Sequence, residues 1–172
     1  METIYNISVF TENSIGILNR ITIIFTRRHL NIESITASES EVKGVFRYTI
    51  VVKTSLDQVK KVVAQIEKQV EVLKAFFHSD DEVVYQEIAL YKLPTESFST
   101  GGVERIVRAH YARVLSIEKE YTIIEKTGQP EELQRLFSEL EEYGVLEFVR
   151  SGRVAITKPM KTLAKYLEEL ES

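Results

Sequence analysis

Asn13, Ser14, Ile15, Gly16, Ile17 and Leu18 form the one stretch whose residue types suit a chemical task, the capture of a small zwitterion. Asn13 offers amide donors and a carbonyl acceptor, which match the two charged ends of an amino acid. Gly16 puts no side chain between the backbone and a ligand. Leu18, Ile21 and Phe25 then recur at helical spacing, so the stretch opens a helix whose first N–H groups lack internal partners and whose dipole adds positive charge there. A carboxylate fits such an end. The same residues fit a plainer reading, with Asn13 or Ser14 as an N-cap and Gly16 as a tight turn, and on these residues alone the cap is the simpler of the two.

Catalytic chemistry is not visible elsewhere, because an enzyme needs a nucleophile with a base, a metal cluster or a phosphate cradle. His29, His78 and His110 stand far apart without the spacing of zinc motifs and read as surface or helix-end residues. Gly101-Gly102 has neither the Walker pattern nor the three-glycine dinucleotide fingerprint, so it reads as a hinge before a helix. Carboxylates such as Glu131-Glu132 and Glu141-Glu142 lie on helix faces and read as solvated surface. Phe46 and Tyr48 alternate on one strand and would suit base stacking in an RNA-binding sandwich; without basic flanks or a Gly-aromatic motif, core packing accounts for them better. No catalytic residue and no metal ligand is expected.

The elements around the loop repeat one order. Tyr5, Ile7 and Val9 alternate with Asn6 and Ser8 in a strand over residues 4–10, and a helix follows over residues 15–28 with Arg27 and Arg28 near its negative end. Asn31 reads as a turn or left-handed residue. Residues 32–38 and 45–53 form two strands around a polar turn, with Phe46, Tyr48, Ile50 and Val52 on one face. Ser55 and Gln58 make a capping box, and Leu56, Val59, Val63, Ile66 and Val70 step along the helix it opens. A strand over residues 72–77 completes β-α-β-β-α-β. The order recurs in strands over 83–93, 112–118, 121–127 and 145–149, with helices marked by Val103, Ile106 and Val107 and by Leu133, Leu136, Phe137 and Leu140. Leu115 and Ile117 are expected in the core, and residues 153–157 add a short extended piece. Pro159 opens a last helix with Met160, Leu163, Leu167 and Leu170 on one side, to pack on its own domain or against a partner. The expected class is α+β: two tandem ferredoxin-like βαββαβ sandwiches over residues 1–79 and 80–172, the second carrying the terminal helix.

Composition narrows the partners. At 172 residues and 44% hydrophobic content, one medium or two small cores are possible. A net charge of −4 gives no basic footprint for nucleic acid, and the absence of cysteine fits a reducing compartment. No apolar run is long enough for a membrane helix and no basic segment leads into an apolar one at the N-terminus, so a cytoplasmic location is expected.

Two segments resemble the small, regulatory subunit of acetolactate synthase. Glu12 to Ile21 is similar to that family's Asn-x-x-Gly-x-Leu-x-Arg-Val loop, and Arg27 to Ile35 to its Arg-Gly-aromatic-Asn-Ile-Glu-Ser-Leu segment. Gln86 to Leu90 and Glu147-Phe148-Val149-Arg150-Ser151-Gly152-Arg153-Val154 extend the likeness through the second unit. Asn-x-x-Gly alone suggests only an ACT domain, a ligand-binding sandwich of amino-acid metabolism; Asn-Ile-Glu-Ser with the later Arg-Ser-Gly is far more specific. The resemblance implies an ACT domain at residues 1–79. It also implies a non-catalytic subunit that activates the large catalytic subunit and conveys feedback inhibition by valine or a related branched-chain amino acid. Thiamine diphosphate, Mg and FAD would belong to that large subunit and none to this chain. The ACT domains would pair side by side as a homodimer, with Asn13 and Gly16 lining the effector site, Ser14 beside them, the N–H groups of Ile15 to Leu18 meeting the carboxylate, and Asn31 of the paired chain closing on the ligand. Ile32 and Ile35 would meet a branched side chain. Ser14-Ile15 stands where the family has Glu-Ser, and His29-Leu30 replaces its Gly-aromatic pair; both departures bear on which amino acid is preferred. The alternative is a free-standing amino-acid sensor of the ACT type with no synthase partner.

Overall fold

The computed structural model describes residues 2–158, 163–165 and 168. No helix among them is long and apolar enough to cross a membrane. Two units emerge: residues up to Val84 together with the described residues from Arg153 onward, and Tyr85–Gly152.

In the first unit the order is β1 (Thr3–Glu12), α1 (Ile17–Arg27), β2 (Ile32–Glu39), β3 (Val45–Thr54), α2 (Leu56–Ile66) and β4 (Val72–Ser79). The strands pair antiparallel in the order β2-β3-β1-β4, with Ile7 opposite Ile50 on one side and Phe77 on the other. Tyr5, Ile7, Val9, Tyr48, Ile50 and Val52 face the helices, which fill the space with Ile17, Ile21, Ile24 and Phe25 of α1 and Val59, Val62, Val63 and Ile66 of α2. An alternating strand pattern meets a stripe stepping by three and four, as a two-layer sandwich requires. Ser55 caps α2 by accepting the Gln58 N–H at 3.3 Å. Leu56 and Val70, read as part of the buried stripe, are instead exposed, because Leu56 is the first helical residue and Val70 lies beyond the end of α2.

The left-handed residue after α1 is His29 (φ 55°) rather than Asn31. The His29 N–H donates to Thr26 O and the Leu30 N–H reaches back to Phe25 O, each at 3.0 Å, closing the last turn of the helix.

The second unit contains most of β5 (Val83–Pro94), then α3 (Gly102–Ala109), β6 (Arg113–Ile117), β7 (Tyr121–Gly128), α4 (Pro130–Leu140) and β8 (Glu147–Arg150). Its strands run β6-β7-β5-β8, and β9 (Val154–Thr157) also pairs with β5. Ala89, Tyr91, Leu93 and Ile124 pack against Val103, Val107, Leu133, Leu136 and Leu140. The buried Tyr91 hydroxyl donates to Leu133 O at 2.7 Å, and burial pushes its pKa up to about 12. Leu115 and Ile117 are not core residues: they are 50% and 69% exposed. They lie on β6, an edge strand on which Val114, not Leu115, stands opposite the buried Ile124, and whose register with β7 slips between Val114 and Ser116.

The described residues from Arg153 onward lie with the first unit, whereas the sequence pattern placed them in the second. The reason is the outer face of the first sheet. The alternation predicts burial of β1 on one side only, yet Asn6 and Ser8 on its other side are buried as completely as their apolar neighbours. Arg153 and Ala155 cover that face through hydrogen bonds, and Leu163 is buried with Phe10 and Val45. The helix expected from Pro159 falls largely outside the described residues, of which 163–165 and 168 are helical.

Candidate functional site

The loop between β1 and α1 is held at both ends. The Glu12 N–H donates to Glu71 O at 3.0 Å, and Arg20 in the first turns of α1 pairs with the Glu71 carboxylate at 2.6 Å. The buried Thr11 hydroxyl donates to Glu12 O at 2.9 Å. Between these anchors the chain turns through Gly16, whose φ of 85° and ψ of −2° are left-handed. A Cβ there would meet nothing within 4 Å, so Gly16 is needed for its conformation and not for room.

Neither Asn13 nor Ser14 caps the helix. Gly16 is the N-cap and no side chain bonds to the first turn. The Ile17 N–H donates to Ser14 O at 3.3 Å and the Arg20 N–H to Gly16 O at 3.2 Å. Those of Leu18 and Asn19 find no acceptor among the described residues. Two N–H groups thus point outward at the positive end of α1 with no carboxylate in its first turn to compete. The plain cap would have occupied them; its absence leaves the helix end open to an anion.

The other expected site residues divide by exposure. Asn13 is exposed beside the open N–H groups and Ser14 is half-buried. Ile15 is fully exposed and Leu18 nearly half so, whereas the Ile17 side chain is buried in the core and its N–H is already taken. Asn31 is exposed, and Ile32 and Ile35 are half-buried against the core of their own unit. A single chain does not bring these two groups together. The loop follows Glu12, which pairs with Val45, whereas Ile32 pairs with Val52, which in turn pairs with Tyr5 at the far end of β1. Seven residues of strand separate those ends, about 23 Å at roughly 3.3 Å per residue.

The second unit repeats the backbone device with different residues. Gly101 (φ 72°, ψ −4°) is the uncapped N-cap of α3, and Tyr111 (φ 52°) takes the left-handed position that His29 takes after α1. The Tyr111 N–H donates to Arg108 O and the Ala112 N–H to Val107 O, the same pair of bonds that closes α1.

Sequence reasoning missed a polar cluster on the outer face of the first sheet. The Arg153 guanidinium donates from Nη1 to Asn6 Oδ1 at 3.0 Å and to Asp80 Oδ1 at 2.8 Å, and Asn6 Nδ2 donates to the same Asp80 oxygen at 2.8 Å. Alongside it, Arg47 donates to Ala155 O at 2.7 Å, and its burial lowers its pKa from the usual guanidinium value, an effect that Glu41 opposes. An acidic stretch at Asp80-Asp81-Glu82 with an arginine at 153 was the available signal. Among the described residues no three His, Cys, Asp or Glu side chains are grouped to hold a metal ion.

A four-stranded antiparallel sheet with both helices on one face, and an uncapped glycine loop where β1 meets α1, define the first unit as an ACT domain; a second sandwich of the same topology follows it. A family described as the AHAS small subunit-like ACT domain matches residues 7–74, and one described as the small subunit of acetolactate synthase matches residues 86–159. The acetolactate synthase small subunit of Bacillus subtilis is 33% identical over 153 residues, spanning 88% of this chain and 89% of the relative. That of Mycolicibacterium smegmatis is 32% identical over 154 residues, spanning 90% and 91%. The crystal structure of the acetolactate synthase small subunit from Thermotoga maritima superposes with a TM-score of 0.82 at 28% identity, covering 91% of this chain and 98% of that one. The chain belongs to the acetolactate synthase small-subunit family. Membership implies a catalytic large subunit as partner.

Proposed function

We propose that the chain activates a thiamine-diphosphate-dependent acetolactate synthase large subunit and conveys feedback inhibition of it by valine or a related branched-chain amino acid. The observation that carries this reading is the uncapped start of α1, where the Leu18 and Asn19 N–H groups stand open beside the exposed Asn13. The effector carboxylate meets those N–H groups, while the Asn13 amide oxygen accepts from its ammonium. Gly16 sets the turn and Ser14 flanks it. Because Asn31 lies at the far end of the same sheet, it completes a site only for a second copy, and this supports a homodimer paired through the ACT domains. Ile15, with Ile32 and Ile35 of the paired chain, then offers the apolar surface for a branched side chain. Thiamine diphosphate, Mg and FAD belong in this reading to the large subunit.

The test is reconstitution of the chain with its large subunit, following acetolactate formation from pyruvate with and without valine. The expected result is activation that valine reverses. Activation with no response to valine would remove that effector, and no activation at all would favour a free-standing amino-acid sensor.

A further inference from the structure

We infer that Arg153 couples the effector site to the second unit, by tying together the two strands that lead to the halves of that site. This inference rests on the effector reading above. Residues 153–158 form a strap over the face of the first sheet that the helices leave open, and Arg153 holds it at two separate strands. Its main-chain carbonyl accepts the Thr36 hydroxyl of β2 at 2.9 Å. Its guanidinium reaches Asn6 of β1, and Asp80 just past β4. β3 lies between β2 and β1, so one residue bridges about 9.6 Å of sheet, two strand spacings of roughly 4.8 Å. Arg47 on that middle strand donates to Ala155 O, giving the strap a third foothold.

The two outer footholds lie on the strands that the proposed site loads. β1 runs from Asn6 into the Asn13–Leu18 loop, and β2 begins immediately after Asn31 and carries Ile32 and Ile35 four residues and one residue before Thr36. An effector that draws the loop and Asn31 toward their ligands shifts β1 and β2 against one another. Arg153 is bonded to both and is 5% exposed, so it has no slack in which to ignore that shift. The residue before it, Gly152, is the last of the second unit. Movement of Arg153 is therefore handed directly along the main chain. Hydrogen bonds to both strands, strengthened or weakened as the effector shifts β1 against β2, give the two sites the shared free energy that coupling requires.

The experiment uses the full chain with its large subunit and valine as the probe. Three variants are compared with the natural chain: Thr36→Val, which removes only the β2 hydroxyl while keeping the shape; Arg153→Met, which removes the bonds to Asn6 and Asp80; and Arg153→Lys as the conservative control. Valine binding to each small subunit is measured by calorimetry, and valine inhibition of each reconstituted enzyme by acetolactate formation. The expected result is a split. Binding to Thr36→Val and Arg153→Met stays within about twofold of the natural chain, while the valine concentration for half-inhibition rises by about fivefold or more, or inhibition becomes partial. Arg153→Lys, which keeps a cation within reach of Asp80, recovers part of the response. Equal inhibition of all variants would overturn the inference, because the signal would then bypass the strap. Loss of binding in step with inhibition would overturn it too, by reducing Arg153 to a prop for the site. If the natural chain neither binds valine nor responds to it, the effector reading itself has failed and takes this inference with it. Thr36→Val keeps the test sound should Arg153→Met not fold.

Discussion

Gly16→Ala separates what the loop needs from its backbone and what it needs from its surroundings. At φ 85° an alanine Cβ is placed against the following carbonyl, a strain of roughly 1–2 kcal/mol for an L-residue. Nothing else opposes the methyl group, since no atom lies within 4 Å of that Cβ. Alanine also restricts the unfolded chain, which offsets part of the strain by about 0.4–1 kcal/mol. The net expectation is a loss of about 1 kcal/mol, or a fall in melting temperature of about 4–8 °C for a unit of this size. Gly16→Asn is expected to fall by clearly less, because asparagine tolerates the left-handed region. Thermal melts followed by circular dichroism give the stabilities, and valine titration gives the site. If the alanine backbone relaxes to negative φ, the Leu18 and Asn19 N–H groups turn away and valine binding weakens about tenfold, the equivalent of one hydrogen bond to a charged group. Melting of Gly16→Ala at the natural temperature would refute the reasoning, since the positive φ would then not be held in solution. Asn and Ala variants equally destabilised would refute it differently, by showing that the side chain's presence and not its conformation is what matters.

Asn13→Ala is expected to leave the melting temperature unchanged, because Asn13 is exposed and caps nothing, while the valine response of the reconstituted enzyme is lost; a matching loss of fold and activation would count against a ligand role. Light scattering with valine bound is expected to give at least a dimer, and a strict monomer would contradict a site shared between chains. Tyr91→Phe removes the bond to Leu133 O at a cost of about 1 kcal/mol and also alters the alkaline limb of stability. Because the folded-state pKa of Tyr91 is raised to about 12 from 10, its contribution is complete below pH 10 and is lost as pH rises through that interval, so the variant is expected to lose stability less steeply there in denaturant titrations. Leu115→Ser and Ile117→Ser are expected to change stability by no more than about 0.5 kcal/mol, since both side chains are exposed; losses of several kcal/mol would return them to the core.

Both sandwiches were legible because their helices and strands advertise different periods. Val59, Val63 and Ile66 step along α2 and Tyr48, Ile50 and Val52 alternate on β3, so the element order followed from local pattern. Where the pattern misled, a non-local event had intervened. On β6 it is Val114 that stands opposite the buried Ile124, and nothing in Arg113 to Ile117 announces a register, with its slip, that is set by pairing with β7. The polar side of β1 looked like a solvent face because Asn6 and Ser8 are hydrophilic; burial there is satisfied by partners 74 and 147 residues away from Asn6. At the loop, the residue types allowed either an open helix end or a capped one, because asparagine and serine are common caps, and only the backbone geometry distinguishes the two.

The return of the chain at Arg153 has a consequence for how the protein is made. In the order of synthesis the second unit is an insertion within the first, which is left at Val84 and resumed at Arg153. Translation at about 5–20 residues per second takes roughly 3–14 s to cover the intervening stretch. Throughout that interval the first sheet has its helices but not its strap, and Asn6, Asp80 and Arg47 await the arginine and carbonyl that will close over them. A ribosome that stalls there holds an ACT domain with one bare face, and a single cut between the two units releases neither as a finished piece.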